Sequence, residues 1–232
     1  MKNTLTGLAL LSLASIAHAA PITIENFSFV DPAIAVNPDA ERFIDRAPPA
    51  WSIVRDGGNA VGVANPINSL YGGTGGGGVD GNLPGTGEGV TYGYLNIGNG
   101  GTASMTYSGT SLGTFSDFGT GAAFTLTVAI GERLNLGAPT YTLELLNDGA
   151  SVAFSQGAAT AGNFTDLVTN FVTTTETGLI GIRITGTNNS GGFRQANFDN
   201  VRLDIAAVPE PSTLGLLGLT TVGIAALRRR RS

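Results

Sequence analysis

The chain repeatedly alternates apolar and polar residues with a period of two. Phe124, Leu126, Val128 and Ile130 fall on one side of an extended segment, with Thr125, Thr127 and Ala129 on the other. Tyr141, Leu143 and Leu145 repeat the pattern, as do Ile180, Ile182 and Ile184 with Arg183 and Thr185 opposite. Such a period marks a strand with one buried face, whereas a helix would return apolar residues every three or four positions. Turn clusters separate the runs: Asp56-Gly57-Gly58-Asn59, Asn147-Asp148-Gly149 and Asn188-Asn189-Ser190-Gly191-Gly192. Asp-Gly between Tyr141–Leu146 and Ser151–Ser155 predicts a hairpin, because tight hairpin turns need positive φ. About nine strands are spaced as an antiparallel sandwich requires. The opening segment, Ile22–Val30, changes parity between Ile24 and Phe27, and the closing one changes between Phe198 and Val201. Each change predicts a β-bulge or a bend across sheets. The expected fold is all-β, a jelly-roll-like antiparallel β-sandwich; a β-solenoid would need a constant repeat, and none occurs.

The two ends stand outside this pattern. Lys2, the apolar stretch Leu5–Ile16 and Ala17-His18-Ala19 have the form of a signal peptide, so residues 1–19 are expected to be removed on export. At the other end, residues 208–232 carry Pro209-Glu210-Pro211, an apolar run from Leu214 to Leu227, and Arg228, Arg229, Arg230 and Arg231. That run of 14 residues is shorter than the ~20 of a bilayer-spanning helix, and the arginines are expected to stay cytoplasmic. The body is therefore residues 20–207.

Motif, short hydrophobic helix and arginine cluster, in this order, resemble the PEP-CTERM sorting signal of Gram-negative bacteria. The resemblance implies cutting near Pro209-Glu210-Pro211 by an exosortase, after export by signal peptidase and the secretion machinery. It implies a transient hold in the inner membrane through a short transmembrane helix, followed by the cell surface or an extracellular matrix. Proteins of this kind are tied to exopolysaccharide and biofilm.

Loss of residues 1–19 removes the only histidine, His18, and the chain has no cysteine. Ser-His-Asp and Cys-His catalysis, His-ligated zinc and disulfides are excluded from the body by inventory. Sixteen Asp and Glu stand against seven Arg and no Lys between residues 20 and 207, an excess of nine negative charges. Phosphate neutralisation is unavailable, so nucleic acid is not an expected partner. The glycine-rich segment Gly72–Gly89 is expected to be a mobile surface loop, since it lacks the lysine and following helix of a phosphate-binding loop.

The closing segment Ala196-Asn197-Phe198-Asp199-Asn200-Val201-Arg202-Leu203, with an opening strand over Ile22–Phe29 and a central one over Tyr141–Leu145, resembles galactose-binding-like jelly rolls. That is the fold of many bacterial carbohydrate-binding modules. The resemblance implies a structural calcium on Asp199 with Glu25 as partner; the alternative is that Asp199 caps a bulge beside Arg194 or Arg202. Sugar recognition needs an aromatic platform, for which the candidates are Trp51, Tyr71, Tyr92 and Tyr94. Acidic residues are scattered singly. The expectation is a non-catalytic body that binds a polysaccharide or serves as a structural matrix component. The alternative is a secreted carboxylate-dependent glycoside hydrolase using pairs such as Asp31 and Asp39 or Asp45 and Asp56.

Overall fold

The computed structural model describes residues 19–34, 42–55, 60–66, 70–71, 83–107 and 110–206. Pro209, Glu210, Pro211, the apolar run after them, Arg228–Arg231, Asp39, Asp56 and most of the expected signal peptide lie outside the described residues. Twelve strands occur among those described: β1 (Ala19–Ile22), β2 (Arg42–Ile44), β3 (Trp51–Arg55), β4 (Val61–Asn65), β5 (Tyr92–Ile97), β6 (Thr102–Tyr107), β7 (Ala123–Glu132), β8 (Thr140–Asn147), β9 (Ala150–Gly157), β10 (Asn163–Val172), β11 (Ile180–Thr187) and β12 (Arg194–Ala206). One sheet runs β10-β7-β12-β5-β4-β2, with β1 also paired to β12; the other runs β3-β6-β11-β8-β9. All strand pairings are antiparallel.

The alternating runs meet between the sheets. Phe124, Leu126, Val128 and Ile130 from β7 pack with Tyr141, Leu143 and Leu145 from β8 and Ile180, Ile182 and Ile184 from β11. On the opposite face of the smaller sheet, Arg183 grips Glu144 through two bonds of 2.5 and 2.6 Å and holds that carboxyl below its ordinary range. The β8–β9 hairpin turns at Asp148 (φ 49°) and Gly149 (φ 82°), the positive pair that the sequence predicts. The parity change in the closing strand is a bulge: its register against β7 shifts between Asp199 and Arg202, with Asn200 at φ 47°.

The opening segment departs from expectation. β1 ends at Ile22, and the chain then turns instead of continuing as a bulged strand. Asn26 and Phe29 both have φ of 52°, and the Asn26 side chain bridges to the backbone of Asp31 through its amide nitrogen and its oxygen. An Asx-type turn thus produces the parity change, while Ile24 and Phe29 still reach the core. The strand count exceeds the expected one because β1 and β2, of four and three residues, are too short to display a period.

A polar clamp joins the sheets. Tyr141 of β8 reaches across the core, donates to the Gly131 carbonyl of β7 at 2.6 Å and accepts from the Asn197 amide of β12 at 2.8 Å. Burial raises its pKa, so the hydroxyl keeps its proton. Tyr141→Phe leaves both backbone groups unsatisfied and is expected to destabilise the fold by about 2 kcal/mol in denaturant unfolding. A change below about 0.5 kcal/mol would contradict the clamp.

Candidate functional site

Successive residues of β12 point to opposite faces. Ala196 and Phe198 enter the inter-sheet core, so Gln195, Asn197 and Asp199 face the outer side of the larger sheet. One row across that face reads Tyr94, Asn197, Gly131 and Phe164, contributed by β5, β12, β7 and β10. Glycine at 131 is required by contact, because a Cβ there would lie 2.7 Å from the Phe164 ring. The ring instead lies over the strand and builds a wall.

An outer sheet face is ordinarily left to solvent, but this one is covered. Leu70, Tyr71 and Leu83 pack with Tyr92, Tyr94, Ala129 and Phe164 into a second apolar cluster. Tyr71 stacks on Phe164 at 5.0 Å with planes 26° apart and meets Tyr92 edge-on at 5.8 Å. The segment 83–91 closes over the cluster. Thr86 donates its amide to the Phe164 carbonyl, Phe164 donates to the Pro84 carbonyl, and the Asn200 side chain donates to the Thr86 carbonyl at 3.1 Å. This part of the glycine-rich segment is therefore a packed cover rather than the expected mobile loop; residues 72–82 lie outside the described residues.

Beneath the cover sits Asp199, with no exposed surface. Its Oδ2 accepts the Glu88 amide at 2.5 Å, and its Oδ1 has no hydrogen-bond partner. Burial raises its pKa well above the carboxylate range, against the opposing pull of the Glu88 and Asn200 amides. Two residues earlier on the same face, Asn197 is also fully buried, and its Oδ1 is likewise without a partner. The buried Thr86 hydroxyl adds a third such atom. Further along, Arg133 donates to Gln195 at 2.9 Å and Gln195 donates to Asn96 at 2.7 Å, which extends the polar strip.

Of the residues singled out from sequence, Tyr71, Tyr92, Tyr94 and Asp199 come together here. Trp51 does not: it lies in the inter-sheet core between Phe29 and Tyr107, at 5.3 Å from each ring. None of the four aromatics is an open sugar platform, since their exposures are 4% for Trp51 and Tyr71 and 0% for Tyr92 and Tyr94. Glu25 stands in the exposed turn after β1, its amide bonded to the Tyr107 hydroxyl of the smaller sheet. Asp199 already spends one oxygen on an amide donor, and among the described residues no three Asp, Glu, His or Cys side chains form a metal-holding group. Arg202, the expected neighbour of Asp199, bonds Asp166 at 2.6 Å instead. Of the glycosidase candidates, Asp45 accepts from the Tyr94 hydroxyl and the Asp31 backbone is tied to the Asn26 side chain, while Asp39 and Asp56 lie outside the described residues.

Sequence reasoning missed Phe164, Asn197, Thr86 and Glu88. Asn197 reads as an ordinary outward strand residue, and only the cover turns it into a buried one.

Residues 20–204 match the family described as HpiC1-like, HpiC1 cyclase, and residues 207–231 match the PEP-CTERM protein-sorting motif. Among curated proteins none matches. Among solved structures, a cyclase from Fischerella sp. TAU in complex with 4-(1H-indol-3-yl)butan-2-one is 22% identical, with a TM-score of 0.61 over 82% of this chain and 100% of that one. An apo cyclase from Fischerella sp. is 21% identical, with a TM-score of 0.60 over 82% of this chain and 98% of that one. The carbohydrate-binding module TmCBM61, solved with β-1,4-galactotriose, is 14% identical with a TM-score of 0.46 over 78% of this chain and 95% of that one. The match of the whole body to a cyclase family overturns the expectation of a non-catalytic protein. The sorting motif marks an exported exosortase substrate.

A carboxyl held neutral in the fold stabilises it below its unfolded pKa of about 3.9, and that contribution is lost as pH rises toward the folded pKa. Asp199→Asn lacks this loss. The variant is therefore expected to gain stability relative to the wild type as pH rises from about 4 to 7.5 in urea titrations; parallel pH profiles would contradict the raised pKa.

Proposed function

The chain belongs to the HpiC1-like cyclase family, and on that premise we propose that its body is an enzyme that passes a proton from Asp199 to a neutral, largely apolar substrate and so starts a ring closure. The observation that carries this reading is the Asp199 carboxyl, buried to 0% exposure with Oδ2 taken by the Glu88 amide and Oδ1 uncommitted. Because Oδ2 is occupied by a donor, the proton of the neutral acid resides on Oδ1. It faces no acceptor in the protein, and a substrate atom is the partner it lacks. Protonation of an alkene or a carbonyl leaves a cation. The π faces of Tyr71, Tyr92 and Phe164 favour such a charge where water is excluded. Ring closure followed by loss of a proton returns the acid to its starting state, so substrate and product have equal mass.

Access runs through the cover. The 83–91 segment is tied to the sheet at Asp199, Asn200 and Phe164, and a substrate reaches Oδ1 by displacing the ties at Asn200 and Phe164 while the Glu88 amide stays on Oδ2. The ligand of the Fischerella cyclase is a neutral indole with a carbonyl acceptor, and the same compound serves as a first probe here. The purified protein is expected to bind 4-(1H-indol-3-yl)butan-2-one, and Asp199→Asn to weaken binding about tenfold in NMR titration. With an alkene-bearing indole, ring closure to a product of unchanged mass is expected to slow at least a hundredfold in Asp199→Asn. Equal turnover in a folded variant would contradict the assignment.

A further inference from the structure

Asn197 carries the second uncommitted atom of the site. Its amide nitrogen donates to the Tyr71 oxygen at 2.7 Å. Oδ1 must then face the other way, and there it has no donor although the residue is fully buried. A buried amide oxygen is costly to leave unbonded, and a fold that fixes one in place holds it for a ligand. The backbone beneath it is equally fixed, because the Asn197 N–H is held by Tyr141 at 2.8 Å.

Register is continuous from Asn197 to Asp199 against Gly131, Ile130 and Ala129, and the bulge begins only after Asp199. The two side chains therefore leave the strand on one face about 7 Å apart. Beside Asn197, Tyr71 and Phe164 stack on each other and wall the face. We infer that Asn197 reads an N–H or O–H donor on the substrate, about 7 Å from the group that meets Asp199, so that the site selects neutral molecules with a donor at one end and an acceptor at the other. This rests on the reading of the Asp199 face as the substrate site. It assigns Asn197 to specificity, since no proton moves through it.

Indole and benzofuran test this directly, because they share a shape and differ in one ring N–H. Dissociation constants from protein-observed NMR on the wild-type protein are expected to favour indole about tenfold. In Asn197→Leu the ratio is expected to fall to about one, and in Tyr71→Phe, which removes the hydroxyl that orients the Asn197 amide, to fall part of the way. Equal affinities in the wild type would overturn the inference even if Asn197→Leu failed to fold. A ratio that survives Asn197→Leu, or no binding of either probe, would overturn it too. Neither probe offers a carbonyl or side-chain acceptor to Asp199. A lost indole preference beside an intact Asp199 dependence in the ring-closure assay would therefore remove the Asn197 assignment alone.

Discussion

The candidate site depends on one extra residue in β12. Phe198 and Val201 both point into the inter-sheet core, and between them stand two residues, Asp199 and Asn200, where an unbroken strand would have one. The bulge lets the strand bury Ala196 and Phe198 before it and Val201, Leu203 and Ile205 after it. Without it, a change of one residue in phase would turn one of these sets to the outer face. The bulge residue is an asparagine at φ 47°, a conformation that its short polar side chain tolerates. That same side chain holds the Thr86 carbonyl, so the residue that sets the phase of β12 also ties down the cover above Asp199.

A second consequence follows from covering both faces of one sheet. Polar residues on β12 that would ordinarily meet water are enclosed by Tyr71, Tyr92, Phe164 and the 83–91 segment. Gln195 finds Arg133 and Asn96, whereas Asn197, Asp199 and Thr86 each keep an atom unpaired. Such concentrated departures from hydrogen-bond satisfaction are where a fold gives up stability for a task. The inventory of the body points the same way. With no histidine or cysteine after residue 19, acid chemistry in the body falls to carboxyls, and burial raises the pKa of one of them, Asp199.

How far the sequence carried the architecture differs from element to element. Strands β7, β8 and β11 were legible because each is long enough to show a period of two against a single core, and the Asp148-Gly149 turn because only certain residues accept its geometry. The bulge was legible as a parity change between Phe198 and Val201. The same signal misled at Ile24–Phe27, where an Asn26 turn changes parity without a bulge. Tyr71, Tyr92, Tyr94 and Asp199 stood out by residue type, but their meeting depends on strand order and on the cover, neither of which is local. Trp51 looked equally suited to a platform and is core, since a lone aromatic at a strand start carries no mark of the face it takes. The proposed acid was hidden for the same reason: it is set apart by the burial of one carboxylate, and sixteen carboxylates between residues 20 and 207 look alike in sequence.

The central claim is that Asp199, the proposed proton donor, holds its proton in the buried site of the folded body. Infrared difference spectroscopy between the wild-type protein and Asp199→Asn at pH 7 tests it without any substrate. The account predicts a carbonyl stretch of a neutral carboxylic acid in the wild type that is absent from the variant. A spectrum in which the wild type differs only by an ionised carboxylate band would contradict it.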